Sequence, residues 1–138
     1  MSCACAFEER ELEIPADLAR IRDAREWASR VAREFGLGED GCFCVKLAAS
    51  EAVTNAIIHG SGSRGDSVRL AARGDEDTLI FEVSDRGWEN PGGSDPTRRL
   101  TEGGRGLDLV SMVMDEVQLV RRAGGGLLRF SKRRESAA

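Results

Sequence analysis

The chain has 138 residues, with 20 Lys+Arg against 24 Asp+Glu and a net charge of -4. That length suffices for one domain that buries about two-thirds of its unfolded surface without a metal or disulfide staple. Both signs of charge are interspersed, which excludes a broad nucleic-acid-binding surface, and the short Lys132-Arg133-Arg134 run does not change this. The first twenty residues carry Glu8, Glu9, Glu11 and Glu13 rather than an apolar leader, and no later stretch reads as a run of about 20 apolar residues. The expectation is a cytoplasmic protein without a membrane span or direct nucleic-acid contact, with residues 1–7 and 132–138 as flexible ends.

In chain order, Phe7 to Ile14 reads as a strand with charged outer residues, ended by Pro15. From Ala16 to Phe35, Leu18, Ile21, Ala24, Ala28, Val31 and Phe35 recur at the helical period, and Gly36 is the natural stop. The other side of this helix carries Arg20, Arg22, Arg30 and Arg33 among acids, either a solvated face or a docking face for a protein partner. Gly36 to Gly41 reads as a short loop, which makes the following helix, about Cys44 to Gly60, an antiparallel neighbour.

Within that second helix Glu51, Asn55 and His59 are four residues apart. At roughly 100° per residue they share a narrow stripe. Leu47 and Ile58 flank it on one side and Ala48, Ala52 and Ala56 on the other, with Lys46 and Ser50 elsewhere on the surface. Polar groups set in such an apolar wall cost on the order of 2–7 kcal/mol for an amide unless they are partnered. A ligand, a metal or an internal hydrogen-bond network is therefore expected to meet them.

Residues 60–66 form a Gly/Ser-rich loop. Val68, Leu70 and Ala72 then alternate with charged residues, Gly74-Asp75-Glu76-Asp77 turns the chain, and Leu79, Phe81 and Val83 alternate again, a β-hairpin with one buried face. Asp85 continues the buried parity at the strand end, either a carboxylate held for a donor or an Asx turn, and Gly87 permits close backbone approach. Arg86 to Gly106 holds Gly87, Gly92, Gly93, Gly103, Gly104 and Gly106 with Pro91 and Pro96, the composition of a long lid. It ends in Glu102-Gly103-Gly104-Arg105-Gly106-Leu107 and runs into a helix with Leu107, Val110, Val113 and Met114 inward. Glycines before a helix expose N–H groups and the positive dipole end, which suits a phosphate. Val117 to Arg122 and Leu127 to Ser131 are two more strands around Ala123-Gly124-Gly125-Gly126.

Together these elements give a single α+β domain, a two-layer α/β sandwich with a mostly antiparallel sheet and helices on one face. The cysteines form two Cys-x-Cys pairs, Cys3/Cys5 and Cys42/Cys44. That spacing is tighter than structural zinc usually uses, which leaves a metal or redox role open beside a plain packing role.

The order of motifs, with Ser50-Glu51-Ala52-Val53-Thr54-Asn55-Ala56 and His59 as the most specific part, resembles the histidine-kinase-like ATPase domains shared by gyrase-type ATPases, heat-shock chaperones and histidine kinases. Within them it looks most like the bacterial anti-sigma-factor serine kinases, over roughly residues 8 to 131. The resemblance implies ATP and Mg2+ as cofactors, with Asn55 as magnesium ligand and Glu51 as general base toward a serine hydroxyl. It implies nucleotide-binding roles for Asn55, His59, Asp85 (adenine amino group), Gly87, Gly104, Arg105, Gly106 and Leu107. It also implies a sigma factor and an anti-sigma-factor antagonist protein as partners, and a homodimer. The helix bearing Arg20 and Arg22 is the expected docking face.

Three departures from the family pattern stand out, one of them the cysteines, which lie outside the shared motifs. Trp88-Glu89 follows Asp85-Arg86-Gly87 where a second glycine is common, and Gly125-Gly126-Leu127-Leu128 replaces a Gly-Thr-Thr-like element. An alternative reading is a nucleotide-binding or degenerate module that sequesters a partner without kinase activity. A fragment of a sensor kinase is a further alternative, disfavoured because Met1 to Ala138 reads as a complete domain without a phosphoacceptor-histidine helix pair.

Overall fold

Five antiparallel strands form the floor of the molecule. The computed structural model describes residues 7–60, 67–85, 105–122 and 125–134. Its strands are β1 (Arg10–Pro15), β2 (Ser67–Asp75), β3 (Thr78–Asp85), β4 (Glu116–Arg122) and β5 (Gly125–Arg133), in the order β1-β2-β3-β5-β4. The period-2 pattern of the central hairpin sets its register: Leu70 faces Val83 and Ala72 faces Phe81, all buried. Across β3 and β5, Phe81 pairs with Phe130 and their rings stack with centroids 5.5 Å apart. The β2–β3 connection is the tight pair Glu76-Asp77, with Glu76 in the left-handed region (φ 55).

Among the described residues, three α-helices cover one face of this sheet: α1 (Ile21–Phe35), α2 (Glu39–Asn55) and α3 (Arg105–Val113). The face of α1 turned to the sheet carries Ala24, Trp27, Ala28, Val31, Ala32 and Phe35, with Trp27 set edge-on to Phe81 at 6.1 Å. The helix stops where the sequence says it should. Gly36 adopts φ 104, and its N–H and that of Leu37 donate to the last carbonyls of α1, including Ala32 O. Leu37 and Gly38 then turn the chain straight into α2, which packs against both α1 and α3. Its inner positions are small (Cys42, Val45, Ala48, Ala49, Ala52, Val53), so it sits close to its neighbours.

Several boundaries differ from the sequence expectations. The second helix begins at Glu39 rather than near Cys44, because Glu39 and Asp40 favour a helix N-terminus and Gly41 can sit inside the first turn. Leu18 is 53% exposed rather than inward: it lies in a 3-10 turn (Leu18–Arg20) that breaks the phase of the helix that follows. β1 starts at Arg10 and includes Pro15, tolerable on an edge strand. β5 extends two residues past Ser131, and Arg134 beyond it donates to Phe35 O at 2.9 Å and lies 4.8 Å from the Phe35 ring centroid. By length and composition alone one helix among the described residues passes the test for a membrane span, as packed core helices also do. Glu39–Ile58 reaches a mean hydropathy of 1.3 over its best window, which is enough by length and composition. Its apolar character comes from the small residues that pack it between α1, α3 and the sheet.

Candidate active site

Glu51 and Asn55 stand one turn apart on the flank of α2, between its sheet-facing stripe and its solvent face. Both are half-buried. Ala48, Ala52 and Ala56 beside them are fully buried and Leu47 is half-buried, whereas Ile58 is 55% exposed. The apolar wall expected on both sides is therefore present on one side only. Among the described residues, neither the Glu51 carboxylate nor the Asn55 amide has a hydrogen-bond or ion-pair partner. Half-burial keeps the solvation cost bearable while leaving both groups free to meet something else.

Between them, the Thr54 hydroxyl donates to Ser50 O at 2.7 Å. Ser50 O belongs to the peptide unit that carries the Glu51 nitrogen, so the Thr54 hydroxyl ties the backbone under Glu51 to the residue preceding Asn55. Such back-bonding bends a helix slightly. Immediately after Asn55 the chain leaves α geometry, and Ala56–Gly60 forms a π turn. Wide turns of this kind are frequent at functional sites. The regular spacing that placed Glu51 and Asn55 on one stripe therefore ends at Asn55. His59 is inside the π turn, and its side chain lies outside the described residues. Sequence reading passed over Thr54, although a threonine between two polar stripe residues in mid-helix was the available signal.

Asp85 is the last residue of β3, paired with the fully buried Val68 and two residues beyond Val83, as its parity required. Its side chain lies outside the described residues, as do all of Gly87, Trp88 and Gly104. Arg105, Gly106 and Leu107 form the first turn of α3, so the glycine run opens directly onto a helix N-terminus, and α3 packs against α2. Their side chains are likewise outside the described residues. Further along α3, Val110 and the following Met114 are buried and Val113 is half-buried, as the inward pattern required. Where the resembled family has hydroxyls, Leu127 and Leu128 are 4% and 1% exposed, and they pair with Ser84 and Val83.

The other candidates fall apart from this constellation. Arg20, Arg22, Arg30 and Arg33 are exposed. Arg20 pairs with Asp23 at 3.4 Å and Arg22 with Glu26 at 3.8 Å, weak local pairs on a solvated surface. Cys42 is buried and its thiol donates to Leu37 O at 3.5 Å; burial pushes its pKa up, which keeps the thiol inert. Cys44 is half-buried and free, no metal-binding cluster occurs among the described residues, and Cys3 and Cys5 lie outside them. A half-open depression of about 1270 Å³, lined by Glu39, Asp77, Asp115 and Lys132, lies at the opposite end of β3 from Asp85, away from Glu51 and Asn55.

Residues 14–132 match the family of histidine kinase-like ATPase domains. The chain is 30% identical over 132 residues to the serine-protein kinase RsbW of Oceanobacillus iheyensis, covering 86% of this chain and 82% of that protein. It is 30% identical over 128 residues to the RsbW of Halalkalibacterium halodurans, covering 85% and 78%. Its fold matches a crystal structure of the RsbU and RsbW domains of Rv1364c from Mycobacterium tuberculosis with a TM-score of 0.67 at 18% identity, over 92% of this chain and 32% of that longer one. A helix carrying Glu51 and Asn55, a hairpin ending at Asp85 and a glycine run opening α3 are thus arranged on a shared fold, and the chain belongs to the histidine kinase-like ATPase domain family, within it to the RsbW-type serine-protein kinases.

Proposed function

We propose that this protein is an ATP-dependent protein-serine kinase and anti-sigma factor. It holds a sigma factor in the cytoplasm and phosphorylates a serine of an anti-sigma-factor antagonist, and it works as a homodimer. Residues 1–138 serve as one nucleotide-binding domain. The observation that carries the reading is the pair Glu51 and Asn55: two hard-oxygen side chains, one turn apart, without partners among the described residues, beside the helix that the glycine run opens.

The donor set suits Mg2+, which prefers oxygen ligands and keeps several waters. Asn55 supplies one ligand oxygen, and the metal when bound neutralises charge on the phosphates of the substrate ATP. Glu51 acts as general base. As the serine oxygen forms its bond to the γ-phosphorus, the bond from that phosphorus to the β–γ bridging oxygen breaks. The electron pair leaves with ADP, and the serine proton passes to the Glu51 carboxylate. Asp85 accepts a hydrogen bond from the adenine amino group, Gly87 gives the base room, and the backbone of Gly104 to Leu107 with His59 completes the phosphate side.

The test uses a magnesium complex of a non-hydrolysable ATP analogue, titrated calorimetrically, and labelled γ-phosphate transfer from ATP to a candidate antagonist. Glu51→Gln keeps nucleotide affinity and loses about 10² to 10⁴ in transfer rate, the usual weight of a general base. Asp85→Asn weakens nucleotide binding by about 1.5–3 kcal/mol through loss of a charge-assisted bond. Unchanged transfer in the first variant removes Glu51 from the chemistry. Nucleotide binding without transfer in the wild-type chain favours a sequestering module, a reading to which the buried Leu127 and Leu128 lend support.

A further inference from the structure

The stripe of α2 that carries Glu51 and Asn55 continues toward the start of the helix. Four residues before Glu51 stands Leu47, and four before that Phe43, so at roughly 100° per residue all four lie on one band that drifts only about 40° per step. Leu47 is half-buried and Phe43 is 63% exposed. On α3, Met112 is 79% exposed, with Leu109 and Val113 half-buried on the same helix. α2 begins and α3 ends at one depression, which Gly41 and Cys44 line from the first helix and Asp115 and Val117 from the chain leaving the second. The two helices pack against each other and run in opposite directions, so Phe43 and Met112 are exposed at the same end of the pair. Single exposed apolar residues are ordinary. An aromatic ring and a thioether at one end of a helix pair, backed by three half-buried aliphatic side chains, make an apolar band that leads to Glu51.

Distance decides what covers that band. With a rise of about 1.5 Å per residue, Leu47 stands about 6 Å and Phe43 about 12 Å from Glu51 along the helix. A protein–protein contact of ordinary size buries about 800 Å² on each partner, a disc of about 16 Å radius. Centred on Glu51, such a disc reaches past Phe43, so a folded protein that delivers a serine hydroxyl to the Glu51 carboxylate has this band within its footprint. Phenylalanine and methionine are also among the residues enriched where such contacts are driest. We propose that Phe43, Leu47 and Met112 anchor the protein substrate, taking up an apolar side chain that the substrate displays about 12 Å from its phosphoaccepting serine, the distance set by the helical rise. The proposal rests on the kinase reading and deepens it. Glu51 and Asn55 supply the chemistry, and the band selects which serine is held against them.

Steady-state transfer of labelled γ-phosphate from ATP to the purified antagonist that accepts phosphate from the wild-type chain tests it, with Phe43→Ser and Met112→Ser. Both side chains are mostly exposed, so neither change disturbs the core. Each variant raises the KM for the antagonist about tenfold, the weight of one good anchor, while kcat stays within about twofold. Calorimetric affinity for the magnesium ATP analogue does not change. Phe43→Leu, which keeps an apolar side chain, holds the KM within about threefold of wild type. An unchanged KM in both serine variants overturns the proposal, and so does a loss confined to kcat or to nucleotide affinity. A second copy or a sigma factor are the other occupants: serine variants that dissolve a dimer in sedimentation velocity, or release a sigma factor, with the KM unaltered, assign the band to those partners and overturn it too. The two readings fail differently. A wild-type chain that binds nucleotide but phosphorylates no protein overturns the kinase reading and the anchor with it, whereas transfer at an unaltered KM in the variants overturns the anchor alone.

Discussion

Glu82 gives the sharpest test of how the sheet is held on the face away from the helices. It lies in mid-β3, its side chain 13% exposed, with Arg129 of β5 reaching it through Nε at 2.7 Å and Nη2 at 2.6 Å and Arg73 of β2 from the diagonal position at 3.3 Å. Burial alone would push the Glu82 carboxyl up, but the hydrogen bonds and charges of Arg129 and Arg73 more than reverse this and hold it below its ordinary value near 4.5. Removing one partner of a fully buried pair costs about 3–5 kcal/mol and of an exposed pair less than about 1. Arg129 and Arg73 are 29% and 40% exposed and keep water when the carboxylate goes, and an amide still accepts a hydrogen bond. Glu82→Gln therefore costs about 1–2 kcal/mol at neutral pH, between those limits.

The sign of the pH dependence follows from the lowered pKa. The ionised carboxylate contributes stability that is complete above the unfolded value, near 4.5, and is lost as pH falls through the folded value. The difference between wild type and variant should thus shrink on acidification. Urea unfolding at neutral pH should show a midpoint shift of about 0.5–1 M, from a slope of about 2 kcal/mol/M for a chain of this size. The shift should narrow well below pH 4.5. An equal shift at neutral and acid pH would mean that Glu82 acts by shape and not by charge. No shift at either would mean that the three-residue ladder contributes nothing.

Two further substitutions probe the site and the core. Thr54→Val keeps the shape of the side chain and removes its bond to Ser50 O, at a cost of about 0.5–1.5 kcal/mol in stability. It lowers phosphate transfer more than nucleotide binding, and Thr54→Ser restores both; weaker nucleotide binding with unchanged turnover would show that the hydroxyl does not set Glu51. At Gly74, an added Cβ would come within 2.7 Å of both Phe35 Cε1 and Phe7 Cβ, so Gly74→Ala overpacks the contact and costs about 1–3 kcal/mol in a urea titration. A neutral result would mean that the Phe7–Phe35 pair yields freely.

What the sequence made legible was whatever depended on period. Val68, Leu70 and Ala72 against Leu79, Phe81 and Val83 repeat at two residues, and only a hairpin with one buried face satisfies them; the structure has that hairpin in that register. Ala24, Ala28, Val31 and Phe35 repeat at the helical period and all four are buried. Legibility failed where geometry departs from a regular period without a residue to announce it. The 3-10 turn at Leu18–Arg20 shifts the phase of α1, so Leu18 fits the pattern on paper and faces solvent in the fold. Trp27, just off that pattern, is the residue that reaches Phe81. At the start of α2, Gly38 and Gly41 imitate a loop, yet a Cβ at Gly41 would lie 3.1 Å from Leu37 Cβ, so the missing side chain there serves helix packing.

The same limit bears on the site. Glu51 and Asn55 lie in regular α geometry, and their spacing could be read directly from the chain. Nothing in Ala56-Ile57-Ile58-His59-Gly60 announces a π turn, because a π turn is selected by packing and by the helix that precedes it and has no strong propensity of its own. The back-bonded Thr54 stands just before it, and a hydroxyl on Ser50 O bends a helix slightly there. The departure at Leu127 and Leu128 resolves in the same physical terms. Leu128 pairs with Val83 beneath the helices and both leucines are buried, so the replacement of hydroxyls trades polar groups near the end of β3 for apolar burial worth about 1.5–3 kcal/mol per side chain. Such a trade removes hydroxyl donors beside Asp85, so on the proposed kinase reading nucleotide affinity in Asp85→Asn is a more sensitive test of the pocket than it would be with threonines in place.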